Sequence, residues 1–191
     1  MSSEVKVDAE SIKKSAEDLV ELIKLRTFPF GMKLFENIDD MLSIKGLRTP
    51  SDGKFFTTCQ LVTQVRTAGF TLGIVQNNLR PGSSCGANIG LEVVPEDVSS
   101  GQKMTGVWFG NQEAAAKHQA QMPRVEAGKY TGLAASPLRT GRLDPPDICL
   151  FYASPGQMIL FINGLQYHNY RRYDFTLTGA VSYTHLTLPT S

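Results

Sequence analysis

Two four-residue sequences, Thr57-Thr58-Cys59-Gln60 and Ser154-Pro155-Gly156-Gln157, fix where helices must start in this chain. Each has the Ser/Thr-x-x-Gln form of a capping box. The hydroxyl accepts from the N–H three residues on, and the glutamine reaches back to the N–H of the first residue. Pro155 strengthens the second box, because its fixed φ and missing N–H suit the first helical position. After the first box, Leu61, Val62, Val65 and Ala68 recur at helical spacing, and Gly69 is placed to close the helix in left-handed geometry. After the second, Met158, Ile159, Phe161, Ile162 and Leu165 make a hydrophobic helix. The apolar runs at 70–75 and 147–152 adjoin these helices and read as strands, the second as a buried one.

The rest of the chain continues the alternation. Asp8 is an N-cap for a helix whose apolar side is Ile12, Ala16, Leu19, Val20 and Ile23. Charged residues from Lys13 to Lys24 lie mostly opposite, and Pro29 stops the pattern. Residues 30–35 predict a strand, 39–44 a helical turn opened by Asp39-Asp40, and 48–53 a loop with proline, aspartate and glycine turn chemistry. Ser83 or Ser84 caps a short helix over 85–91. A strand is expected over 105–109, with Trp108 in the core, then a helix over 111–121 stopped by Pro123, and further strands over 130–135 and 173–178. The pattern predicts an α/β (or α+β) fold, a mixed sheet flanked by helices in one compact domain. Strand direction is not written in such a pattern.

Residues 180–191 stand apart. Their sequence AVSYTHLTLPT-S resembles the translation of a transposon sequencing adapter, so the native sequence is expected to end at Gly179 and the domain to occupy 1–179, truncated at its C-terminal side. Tyr183 and His185 accordingly receive no functional reading.

Composition excludes several classes of function. Nineteen Lys+Arg against 18 Asp+Glu give a net charge of +1, so no overall field recruits nucleic acid or an anionic membrane. The three cysteines, the absence of an apolar signal region behind Met1, and the lack of an apolar stretch long enough to span a bilayer predict a soluble, reduced, cytoplasmic protein.

Chemistry is concentrated at Cys59 and Cys85, each placed at a helix start by its cap. Unpaired N–H groups and the positive end of the macrodipole favour a thiolate there, the form that binds metal or attacks an electrophile. Gln60, Arg66, Ser84 and Gly86 surround the two thiols in sequence and are the candidate ligand-binding residues. Arg66, seven residues after Cys59, shares its helical face two turns away.

Taken in order, Gly31-Met32-Lys33-Leu34-Phe35, Cys59-Gln60, Arg66, Cys85-Gly86, Gly90-Leu91 and Tyr152-Ala153-Ser154-Pro155-Gly156-Gln157 resemble the bacterial and archaeal family called domain of unknown function 169. The resemblance covers most of the native chain. It implies a longer protein with further cysteine-containing sequence past the adapter, and a family most at home in anaerobes.

Three readings of the thiols stay open. Cys59 and Cys85 are two ligands of an iron–sulfur cluster or another soft metal, completed by Cys149 or by a residue outside the chain. There is no Cys-x-x-Cys, and His118 and His168 are distant in sequence. Alternatively, one thiolate is a nucleophile or redox centre and the other resolves it, as in sensor or thiol-transfer proteins, with a thiol-reactive small molecule or a redox partner as the reactant. In the third reading the cysteines fill small spaces in the core, and any function is that of a non-catalytic small-molecule or anion binding module built on the two helix starts. Cys149, in an apolar strand pattern, is assigned to the core. The stretch 82–90 lacks both the P-loop and the dinucleotide glycine signatures. Arg171-Arg172 reads as a solvated face.

Overall fold

The computed structural model describes residues 8–81, 84–167 and 170–174. Ser83, His168, most of the strand expected at 173–178 and the adapter-like tail lie outside the described residues, as does the side chain of Ser84. The elements in chain order are α1 (Ala9–Ile23), β1 (Phe30–Phe35), α2 (Ile38–Leu42), α3 (Thr58–Ala68), β2 (Leu72–Val75), α4 (Ser84–Asn88), α5 (Glu96–Ser99), α6 (Gln112–Ala120), β3 (Gly132–Pro137), β4 (Ile148–Leu150) and α7 (Pro155–Gln166). Among the described residues no helix is long and apolar enough to cross a membrane.

Both capping boxes form. Thr57 Oγ1 accepts from the Gln60 N–H at 3.1 Å, while Gln60 Oε1 accepts from the Thr57 N–H at 2.9 Å. Ser154 and Gln157 repeat the exchange at the head of α7. Gly69 closes α3 at φ +72°, its N–H donating to the Val65 carbonyl. Helix α1 is opened by Asp8 but stops at Ile23, ahead of Pro29, because Lys24 turns left-handed at φ 56°.

The four strands form one sheet in the order β2-β3-β1-β4. The α/β class holds, with helices and strands interspersed, but every pairing is antiparallel rather than mixed in direction: β1 with β3 and β4, and β2 with β3. Side chains alternate across the pleat. Phe30, Met32, Ile74, Leu133 and Ala135 share one face with Leu61, Val62 and Val65 of α3, and this forms the main core. Ala134 faces the other way, where Met41 of α2 and Leu143 make a smaller cluster. That second layer needs glycine beneath it: a Cβ on Gly132 would lie 2.9 Å from Met41 Sδ.

Four expectations are corrected. Residues 105–109 are a tight turn, in which the Met104 carbonyl accepts from the Trp108 and Phe109 N–H groups and Gly106 has φ +77°, so no strand extends there. Trp108 is accordingly 49% exposed rather than in the core. The strand near 147–152 shortens to Ile148–Leu150 at the sheet edge, and Cys149 is exposed. The helix after Ser84 ends at Asn88, because Gly90 turns left-handed where a Cβ would meet the Glu126 carbonyl at 2.7 Å.

Candidate functional site

Cys59 lies in the first turn of α3 and is exposed. Its carbonyl accepts from Thr63 Oγ1 at 2.8 Å. Gln60 is occupied through its Oε1 in the capping box, so its carbonyl oxygen serves the helix rather than a ligand. Cys85 is half-buried in the short α4. Gly86 beside it is buried for a packing reason: a Cβ there would sit 2.7 Å from Glu92 Oε2 and 3.1 Å from a Leu79 methyl. Burial pushes the Glu92 carboxyl up.

The segments that lead into α3 and α4 run side by side. Phe56 pairs with Leu79 in a parallel bridge, the Phe56 N–H donating to the Asn78 carbonyl at 2.7 Å and the Arg80 N–H to the Phe56 carbonyl at 3.1 Å. Helices α3 and α4 also touch. None of the three cysteines is in a disulfide. Among the described residues, however, no three His, Cys, Asp or Glu side chains gather as a set that could hold a metal. His118 packs its ring against Phe109 at 4.9 Å on α6. For Cys149, burial of the sulfur pushes the thiol up although the residue as a whole is exposed.

Arg66 is brought to a partner that sequence spacing did not reveal. Its guanidinium carbon stands 3.9 Å over the ring of Tyr152, which follows β4 and precedes the α7 cap. The Arg66 side chain also hydrogen-bonds the phenol, while its Nε is buried with no hydrogen-bond partner among the described residues. Burial pushes the Tyr152 phenol up; the Arg66 charge and hydrogen bond pull it down, and negative charge on Cys59 pushes it up. Tyr152 therefore lies within electrostatic reach of both an exposed thiol and a guanidinium that stand about 10 Å apart along α3 at 1.5 Å rise per residue.

Helix α7 follows Tyr152 in the chain and is tied to α1. Gln157 turns its amide nitrogen to the last carbonyls of α1, donating to Ile23 at 2.8 Å and Lys24 at 2.6 Å, while its oxygen caps α7. One side chain thus closes the start of one helix and the end of another, two ends that otherwise leave backbone groups open. The only sequence signal for Tyr152 was its place at the head of the Tyr-Ala-Ser-Pro-Gly-Gln motif.

Residues 18–183 match the family domain of unknown function 169, described as an uncharacterised ArCR. The chain belongs to this family. The match to domain of unknown function 169 takes in every strand, Cys59, Cys85, Arg66 and Tyr152, and runs into the first residues of the adapter-like tail. No curated protein and no solved structure matches the chain.

Proposed function

We propose that the chain binds a small, thiol-reactive molecule carrying an acidic group, with Cys59 as the sulfur that meets it and Arg66 and Tyr152 as the groups that hold the acid. The observation that carries this reading is Tyr152, contributed from far along the chain, set against Arg66 and within reach of the Cys59 charge. A guanidinium whose Nε has no hydrogen-bond partner among the described residues and a phenol are donors suited to a carboxylate. Three thiols outside disulfides fit a reducing, cytoplasmic setting.

An iron–sulfur cluster or soft metal on Cys59 and Cys85 needs about two further ligands. No such set gathers among the described residues, so that reading has less support than a ligand at Cys59. A binding module resting on two helix starts also has less: α4 is a single five-residue turn, too short for much of a macrodipole.

Alkylation tests the proposal. The Cys59 thiolate displaces iodide from iodoacetate: the C–S bond forms, iodide leaves with the electron pair of the C–I bond, and the thiol proton goes to water. Iodoacetamide reacts the same way without the carboxylate. The ratio of the two rates, followed at each cysteine by peptide mass spectrometry, isolates recognition of the acid from thiol reactivity. At Cys59 that ratio should fall several-fold in Arg66→Met. A ratio equal in both proteins, or equal at Cys59 and Cys149, would mean that no acid is held beside the thiol.

A further inference from the structure

A second site stands at the outer edge of the sheet, independent of the cysteines. A groove of about 270 Å³ opens beside β2, with Arg48 and Lys54 at its rim. Neither cation has a carboxylate within ion-pair distance among the described residues. The hydroxyls of Thr49 and Ser51 and the carboxamide of Gln64 also line it, and their side chains make no hydrogen bond to the described residues. Phe56 and Phe70 supply apolar walls, over the buried Leu72 and Ile74.

Arg48 is held in place at both ends. Its backbone is clamped to the sheet edge, the N–H donating to the Thr71 carbonyl at 3.0 Å and the carbonyl accepting from the Gly73 N–H at 2.9 Å. Its guanidinium lies 4.5 Å from the Phe70 ring centroid. Stacking of this kind leaves the edge of the planar fork free for a bidentate acceptor. A preplaced donor also loses less freedom when its ligand arrives.

We infer that this groove binds a small aromatic carboxylate, the carboxylate bridging Arg48 and Lys54 and the ring lying between Phe56 and Phe70. Two cations, hydroxyl and amide groups that have no partner among the described residues, and aromatic walls match those two halves of the ligand. The volume falls just below the roughly 300–1,000 Å³ typical of sites for drug-sized molecules, which limits the ligand to about one ring and its acid.

Benzoate is the probe, titrated into the full chain by calorimetry and by amide NMR, with benzamide as its uncharged counterpart. Saturable benzoate binding should shift the amides of residues 48–54 and 70–74, and benzamide should bind at least tenfold more weakly. Arg48→Gln should weaken benzoate at least tenfold. Lys54→Ala, on an exposed loop, should weaken it several-fold, which keeps the test valid if the first variant does not fold. Absence of saturable binding, equal affinity for benzamide, or shifts centred on Cys59 and Tyr152 would each overturn the assignment. The last result would place the anion at the thiol site instead.

Discussion

Gln157 offers the sharpest perturbation of the scaffold, where α7 meets α1. Replacing it with alanine removes the acceptor for the Ser154 N–H and the donors to the Ile23 and Lys24 carbonyls. Each net hydrogen bond contributes about 0.5–1.5 kcal/mol. These groups are half-exposed, so water recovers part of the loss and the expected cost is about 1.5–3 kcal/mol. For a chain of this length that corresponds to a fall in Tm of roughly 4–10 °C. Gln157→Glu separates the two roles. The carboxylate still caps α7, and negative charge at a helix start is worth about 0.3–1 kcal/mol. But it places acceptor against acceptor at the two α1 carbonyls. If the clamp matters, the glutamate variant should be clearly less stable than wild type in urea denaturation near neutral pH; if only the cap matters, it should equal or exceed it. Wild-type stability in Gln157→Glu would refute the reasoning.

Other outcomes follow from the same geometry. Glu92→Gln should raise the urea midpoint at neutral pH. A carboxyl pushed up by burial binds more protons folded than unfolded, so its destabilising effect sets in as pH rises through and above the ordinary value of 4.5; the difference between variants should vanish below it. Ser136→Ala interrupts the buried chain from Thr71 through Ser136 to Thr140, whose two oxygen contacts are each 2.8 Å, and should cost about 1–3 kcal/mol in the same assay. Gly90→Ala meets both a φ of +75° and the Glu126 carbonyl, and should lose at least about 1 kcal/mol. Cys149 should alkylate more slowly than Cys59 near neutral pH despite its exposure, because its thiol is pushed up by burial of the sulfur.

What the sequence made legible was local. The start of α3 and of α7, and the end of α3, follow from hydroxyl, glutamine and glycine chemistry within a few residues, and the structure forms them as expected. Strand order was not legible: β1 lies between β3 and β4, each more than 90 residues further on, and no local pattern encodes that pairing. The error at 105–109 has a similar origin. Val107, Trp108 and Phe109 look like a strand, but Gly106 at positive φ and the Met104 carbonyl convert the run into a turn. Cys149 shows that an apolar run marks a strand without saying whether it is central or at an edge. Cys59 and Arg66 were visible on one helix face two turns apart, whereas Tyr152 reaches Arg66 only through tertiary packing.

The proposed site rests on Tyr152 lying against Arg66 and within reach of the Cys59 charge, and titration of its phenol reports on that directly. With tyrosine ring carbon labelling, the Tyr152 resonance can be followed through alkaline pH in wild type, Cys59→Ser and Arg66→Met. Losing the Cys59 charge should lower the Tyr152 pKa, and losing the Arg66 charge should raise it. A Tyr152 titration indifferent to Cys59 would contradict the shared site.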